Sequence, residues 1–121
     1  MPRYDLEERL LEFAADVIRL TRNLEKSYAG KHIAEQLLRS GTSPLANHGE
    51  GESAKAKRDF AHRLRTCLQE LREAHRWLKL IQRVPLTEER DQLAALIKES
   101  DELIRIFFTS IRTAEKGGDE T

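Results

Sequence analysis

The sequence predicts an all-α fold, an antiparallel up-down-up-down four-helix bundle. Three observations point there. The first is a strict rhythm of apolar side chains: Phe60, Leu64, Cys67, Leu71, Ala74, Leu78 and Ile81 follow one another at alternating gaps of four and three. That is the period of a helix seam packed against other helices. The second is composition. Charged residues make up 35% of the 121 positions and aromatics 6%, which suits amphipathic helices with aliphatic seams and solvated backs. The third is that short connections join the periodic segments, with no strand-like alternation and no internal repeat. Short connections make consecutive helices antiparallel neighbours.

By length this is one domain, with the bundle over residues 1–116 and a flexible polar tail over 117–121. A chain of this size buries about 65% of its unfolded surface, enough for a modest core. The first helix is expected from about Asp5 to Leu24. Asp5 and Glu8 have the capping-box spacing, and Leu6, Leu10, Phe13, Val17, Leu20 and Leu24 form the seam. Leu11, Ala14 and Ile18 make a second stripe, wide enough to meet two neighbours. Asn23 to Gly30 reads as the first turn.

The second helix turns Ile33, Leu37 and Leu38 inward and then meets Ser40-Gly41-Thr42-Ser43-Pro44. Proline lacks the N–H and crowds the carbonyl four residues back, so the residues leave two readings open: a kinked helix to about Glu50, or a helix followed by a loop. The small residues at 40, 41, 43 and 46 would admit a close backbone. Gly49 and Gly51 mark a break. Ser53 is a suitable cap for a third helix running to about Arg83. Val84-Pro85-Leu86 turns the chain again. Thr87 caps the fourth helix, with Glu88 and Glu89 in its first turn where the dipole favours anions. Its seam is read as Leu93, Ile97, Ser100, Ile104, Phe107, Ile111 and Ala114.

Several function classes find no support. A di-iron bundle needs Glu-x-x-His twice, and the motif is absent. His32 with Glu35 supplies two ligands at most. His48, Glu50 and Glu52 read as a polar helix end. His62 faces outward, and His75 reads as a hydrogen-bonded residue at the seam's border. There is no Gly-x-Ser-x-Gly, phosphate loop or dinucleotide fingerprint. Cys67, inside a seam, reads as a small buried hydrophobe. No metal, no cofactor, no small-molecule substrate and no enzyme activity are expected. The opening residues do not read as a signal peptide, and no apolar run approaches the ~18 residues of a membrane span, so the cytoplasm is the expected location.

The net charge is zero, but it is segregated. Residues 55–83 hold nine basic and three acidic groups, +6, and residues 84–121 hold five and nine, −4. On a wheel advancing about 100° per residue from Phe60, six cations (Arg58, Arg65, Arg72, Arg76, Lys79 and Arg83) fall in one outward band between roughly 100° and 160°. Such a band can follow a phosphate backbone. The residues favour instead a band consumed in ion pairs, because Asp5, Glu8, Glu12 and Asp16 line the first helix and Glu99, Asp101 and Glu102 the fourth. The band has no interleaved aromatics. Trp77 and Leu80 lie outside the seam and either cover the corner near Pro85 or belong to a subunit interface, where Trp is enriched. Phe108 beside Phe107 adds apolar surface and favours an oligomer.

Residues 38–81 also carry a resemblance. Leu38-Arg39-Ser40-Gly41-Thr42-Ser43-Pro44-Leu45-Ala46-Asn47 resembles an "R-S-x-x-S-x-x-x-N" second helix. Glu50, Ser53, Asp59-Phe60, Glu70, Glu73 and Trp77-Leu78 follow in the order of the same pattern. The family is the four-helix-bundle proteins encoded in intervening sequences of bacterial 23S ribosomal RNA genes, and more distantly the accessory proteins of diversity-generating retroelements. The resemblance implies a second helix that continues through Pro44 with a bend. It implies a closed ring of five subunits and no catalysis. For the retroelement branch it implies a reverse transcriptase and RNA as partners. The chain departs from that branch in being neutral overall, and His48-Gly49 replaces an apolar or basic pair.

Overall fold

The predicted seams close on one another in sequence order. The structure is a computed structural model that describes residues 3–48 and 59–119. These residues form four helices and no strand: α1 (Arg3–Thr21), α2 (Tyr28–His48), α3 (Phe60–Arg83) and α4 (Arg90–Asp119). α1 packs on α2, α2 on α3, α3 on α4 and α4 on α1, with neither diagonal pair in contact among the described residues. That is the perimeter of an up-down-up-down bundle. No helix is long and apolar enough to cross a membrane among the residues described.

α1 buries Leu10, Phe13, Val17 and Leu20, and Leu24 is buried just beyond its end. The helix already includes Arg3, so Asp5 lies within it rather than at its cap. The second stripe is only partly interior: Ala14 is buried, but Leu11 and Ile18 are 48% and 38% exposed. The inward arc of α1 is filled by the first seam, and these two side chains fall beyond it.

α2 begins earlier than the turn-forming reading of Gly30 implies. Ser27 is its cap, and the Ser27 hydroxyl accepts the Gly30 N–H at 3.0 Å. This is the favoured N-cap geometry. Gly30 is in the first turn because the chain doubles back there: a Cβ at this position would lie 1.9 Å from the Glu25 carbonyl oxygen. The helix runs unbroken through Pro44, which excludes the helix-and-loop reading. Pro44 is buried, and this burial offsets part of the roughly 3 kcal/mol that a mid-helix proline costs. The small residues do admit a neighbour. Ser40 and Gly41 are buried, and a Cβ on Gly41 would meet the two Val17 methyls at 2.8 and 2.9 Å.

α3 buries Leu64, Cys67, Leu71, Ala74, Leu78 and Ile81 as the spacing predicts, and Leu68 beside them. Phe60 is a correction: it is 44% exposed. Arg65 pairs with Glu115 of α4, so in an antiparallel pair Phe60 stands opposite the end of α4, beyond the last core layer. The helix starts at Phe60 rather than near Ser53. Asp59, at φ −94° and ψ 8°, is in the bridge region and makes no side-chain cap bond. Glu50, Ser53 and Arg58 lie outside the described residues.

In α4 the interior register differs by one residue at two places. Leu96 and Leu103 are buried with Leu93, Ser100, Phe107 and Ile111, whereas Ile97, Ile104 and Ala114 are partly buried and pack against the core's edge. The helix extends to Asp119, three residues into the segment expected as a tail. At its start the expectation is corrected: the helix begins at Arg90, so Thr87 lies ahead of the cap position and Glu88 and Glu89 precede the first turn, and the Thr87 hydroxyl accepts the Glu89 N–H at 3.1 Å in the connection instead. The same hydroxyl donates to the Asn23 carbonyl at 2.9 Å, and the Glu25 N–H donates to the Leu86 carbonyl at 2.8 Å. These bonds stitch the α1–α2 and α3–α4 connections together at one end of the bundle.

Candidate nucleic-acid interface

The outward side of α3 is the surface that carries concentrated charge. Arg65, Arg72, Arg76, Lys79 and Arg83 are all exposed. They are placed there by the seam: burying Leu64, Leu71 and Leu78 turns the next residue of each heptad away from the core. From Arg72 to Arg83 the band is about 16 Å long at 1.5 Å per residue.

Of the expected acidic partners, Glu12, Asp16, Glu99, Asp101 and Glu102 are engaged elsewhere. Arg9 of α1 forks onto Glu99 of α4, with Nε 2.9 Å from Oε2 and Nη2 2.7 Å from Oε1, and reaches Glu102 at 3.3 Å. Hydrogen bonding to Glu99 raises the Arg9 pKa above its usual value. Arg19 holds Glu12 at 3.1 Å and Asp16 at 2.7 Å within α1, and Arg105 holds Asp101 at 3.1 Å within α4. Of the described band, Arg65 pairs with Glu115. Arg72, Arg76, Lys79 and Arg83 have no ion pair among the described residues.

The residues that carry the family pattern sit on the other flank of α3, against α2. Arg39 reaches Glu70 at 3.2 Å and also pairs with Glu73. The Glu73 carboxylate accepts the Trp77 indole N–H at 2.9 Å. Trp77 is partly buried and packs edge-on to His32, 6.4 Å between ring centroids. It therefore covers the α2–α3 seam rather than the corner near Pro85, while Leu80 remains exposed. Within α2, Asn47 donates to the Ser43 hydroxyl at 3.2 Å. Asn47 and Ser43 thus brace the last turns of α2.

No trio of metal-ligating side chains comes together among the described residues. His75 Nδ1 is 2.7 Å from the Ser100 hydroxyl, which donates onward to the Ile97 carbonyl at 2.9 Å. The serine has one proton, so the imidazole Nδ1 carries its own and donates. His48 is not simply a polar helix end: it lies edge-on to the core residue Phe107 at 6.1 Å. Burial lowers the pKa of both histidines from 6.5. Cys67 is fully buried, its Sγ 3.6 Å from the Pro44 carbonyl, and burial pushes its thiol up from 9.0 to about 11.

These shifts give a pH profile of stability. The fold keeps the histidines neutral, so their contribution is present above pH 6.5 and is lost as pH falls below it. It keeps Cys67 protonated, so that contribution is complete below pH 9 and is lost as pH rises through 11. Urea midpoints should plateau between those limits, and Cys67→Ala should flatten the alkaline decline. Identical alkaline declines in both proteins would contradict the burial argument.

α4 adds something the sequence reading missed. Its acids Glu99 and Glu102 face α1 through Arg9, while Asp101, Phe108 and Glu115, spaced by heptads, run beside α3. Phe108 is 46% exposed with the Arg112 guanidinium 6.0 Å from its centroid. Beside α3, α4 thus sets two acids and an exposed aromatic ring, with Arg112 over the ring.

Two comparisons bear on this architecture. The family profile described as "23S rRNA-intervening sequence protein" matches residues 4–109. A crystal structure of a protein of unknown function from the S23 ribosomal protein family of Bacteroides thetaiotaomicron superposes with a TM-score of 0.76. It is 31% identical, over 88% of this chain and 97% of that one. No curated protein matches the chain.

Proposed function

The chain belongs to the 23S rRNA-intervening sequence protein family, and from that premise we propose that it is a non-catalytic, homo-oligomeric helical module that binds RNA through the basic face of α3. The observation that carries the reading is the set of exposed cations Arg72, Arg76, Lys79 and Arg83, left without ion pairs among the described residues while Glu12, Asp16, Glu99, Asp101 and Glu102 are engaged by arginines outside the band. A row of cations with no internal counter-charge is suited to displacing counterions from a polyphosphate.

Self-association rests on apolar surface left in water. Leu11 and Ile18, seven apart on α1, are exposed, as are Leu38 on α2, contrary to its expected inward place, and Leu80 on α3. A ring of five copies, which the family resemblance implies, is one arrangement that would cover such surface. The reading is tested by RNA retention at low salt together with the mass in solution, for the wild type and for a variant with Arg72, Arg76 and Lys79 reversed in charge. It expects a multiple of 14.0 kDa for both proteins and RNA on the wild type alone. A monomer would remove the oligomeric part. RNA held equally by both would remove the binding face. A variant that dissociates or unfolds would favour a purely structural band.

A further inference from the structure

We propose that the nucleic acid taken by this face is single-stranded, and that Phe108 is the platform on which one of its bases stacks. The inference deepens the RNA-binding reading and rests on it. Its basis is the register of α3 against α4. Arg65 pairs with Glu115. At the other end His75 Nδ1 lies 2.7 Å from the Ser100 hydroxyl, so Phe108, between Ser100 and Glu115 on α4, runs alongside the stretch of α3 between Arg65 and His75 that includes Arg72.

Phe108, one heptad before Glu115, is therefore an exposed ring on the side of α4 that lies next to α3. Arg112 already lies over one side of it at 6.0 Å. The ring lines a shallow open depression with Thr109, Arg112, Thr113, Glu115 and Lys116. Glu115 is occupied by Arg65, which leaves hydroxyls and cations around the aromatic. An unpaired base offers a π-face to Phe108 and edge groups to the threonines, while its flanking phosphates run along Arg72, Arg76 and Lys79. A duplex keeps its bases stacked inside and offers the ring nothing. Cations along a backbone together with an aromatic for the base are what sequence-tolerant single-strand binding uses.

The test is fluorescence anisotropy with three labelled probes of equal length: a single-stranded oligonucleotide, a blunt duplex, and a single strand with its bases removed at alternate positions. Wild type, Phe108→Ala and Phe108→Trp are compared, with solution mass measured alongside. The single strand should bind best to the wild type. Phe108→Ala should weaken it about tenfold without changing duplex or base-depleted binding, and Phe108→Trp should retain it. Equal affinity for all three probes, or an alanine variant that loses nothing, overturns the stacking role while leaving the basic-face reading intact. A change in mass on Phe108→Ala overturns it in favour of a contact between copies. No binding of any probe by the wild type overturns both readings.

Discussion

A variant carrying Arg72→Glu, Arg76→Glu and Lys79→Glu together is expected to bind RNA at least ~10²-fold more weakly than the wild type near 0.1 M salt. The size follows from counterion release: each lost phosphate contact removes about 0.7 from the log–log salt slope on a single strand, and 0.1 M lies about one decade below the salt at which the term vanishes. Three contacts give about two decades, before the added repulsion of three carboxylates. The fold should survive, because all three side chains are exposed and none has an ion pair among the described residues. Unchanged helical circular dichroism with lost binding is the expected pair of results. Unchanged binding, or a lost fold, would each contradict it.

Gly30→Ala is expected to destabilise the protein by about 3 kcal/mol, at the upper end of overpacking costs. The new methyl would lie 1.9 Å from the Glu25 carbonyl oxygen. Backbone, not a side chain, would have to move. That backbone is held: the Glu25 N–H donates to the Leu86 carbonyl, and the Asn23 carbonyl accepts from Thr87. Shifting the α1–α2 connection therefore disturbs the α3–α4 connection as well. Gly41→Ala should cost less, because the Val17 methyls it meets belong to a side chain at the α1–α2 contact. Urea denaturation of the two variants should rank them in that order, and a Gly30→Ala protein as stable as the wild type would contradict the close approach.

Where one apolar residue per turn competes for the interior, the sequence is readable. The four-three seams of α1 and α3 are buried apart from their ends at Leu6 and Phe60, although Leu11 and Ile18 stand beside the first and Leu68 and Leu80 beside the second. In α4 two apolar residues stand side by side at 96–97, 103–104 and 107–108. Periodicity fits either register, and only the packing of α1 and α3 against α4 decides that Leu96 and Leu103 go in. Helix ends were harder, since cap chemistry is degenerate: Asp5 and Glu8 have the right spacing inside a helix that begins before them, whereas Ser27, followed three residues later by a glycine, is the cap that forms. Pro44 could not be resolved by local propensity, because burial in the core is what allows the helix to continue past it. The angular placement of the band was legible from the heptad spacing alone. Its lack of partners was not, because that depends on α1 lying diagonally across from α3 and on Arg9 and Arg105 claiming Glu99, Glu102 and Asp101 of α4. The place of Phe108 beside the band required the α3–α4 register.

The most direct test of the basic-face claim is the salt dependence of RNA affinity in the wild-type protein. Four exposed cations free of ion pairs among the described residues should give a log–log slope of about −3 for a single strand. A slope near zero, or no detectable binding at about 50 mM salt, would contradict it.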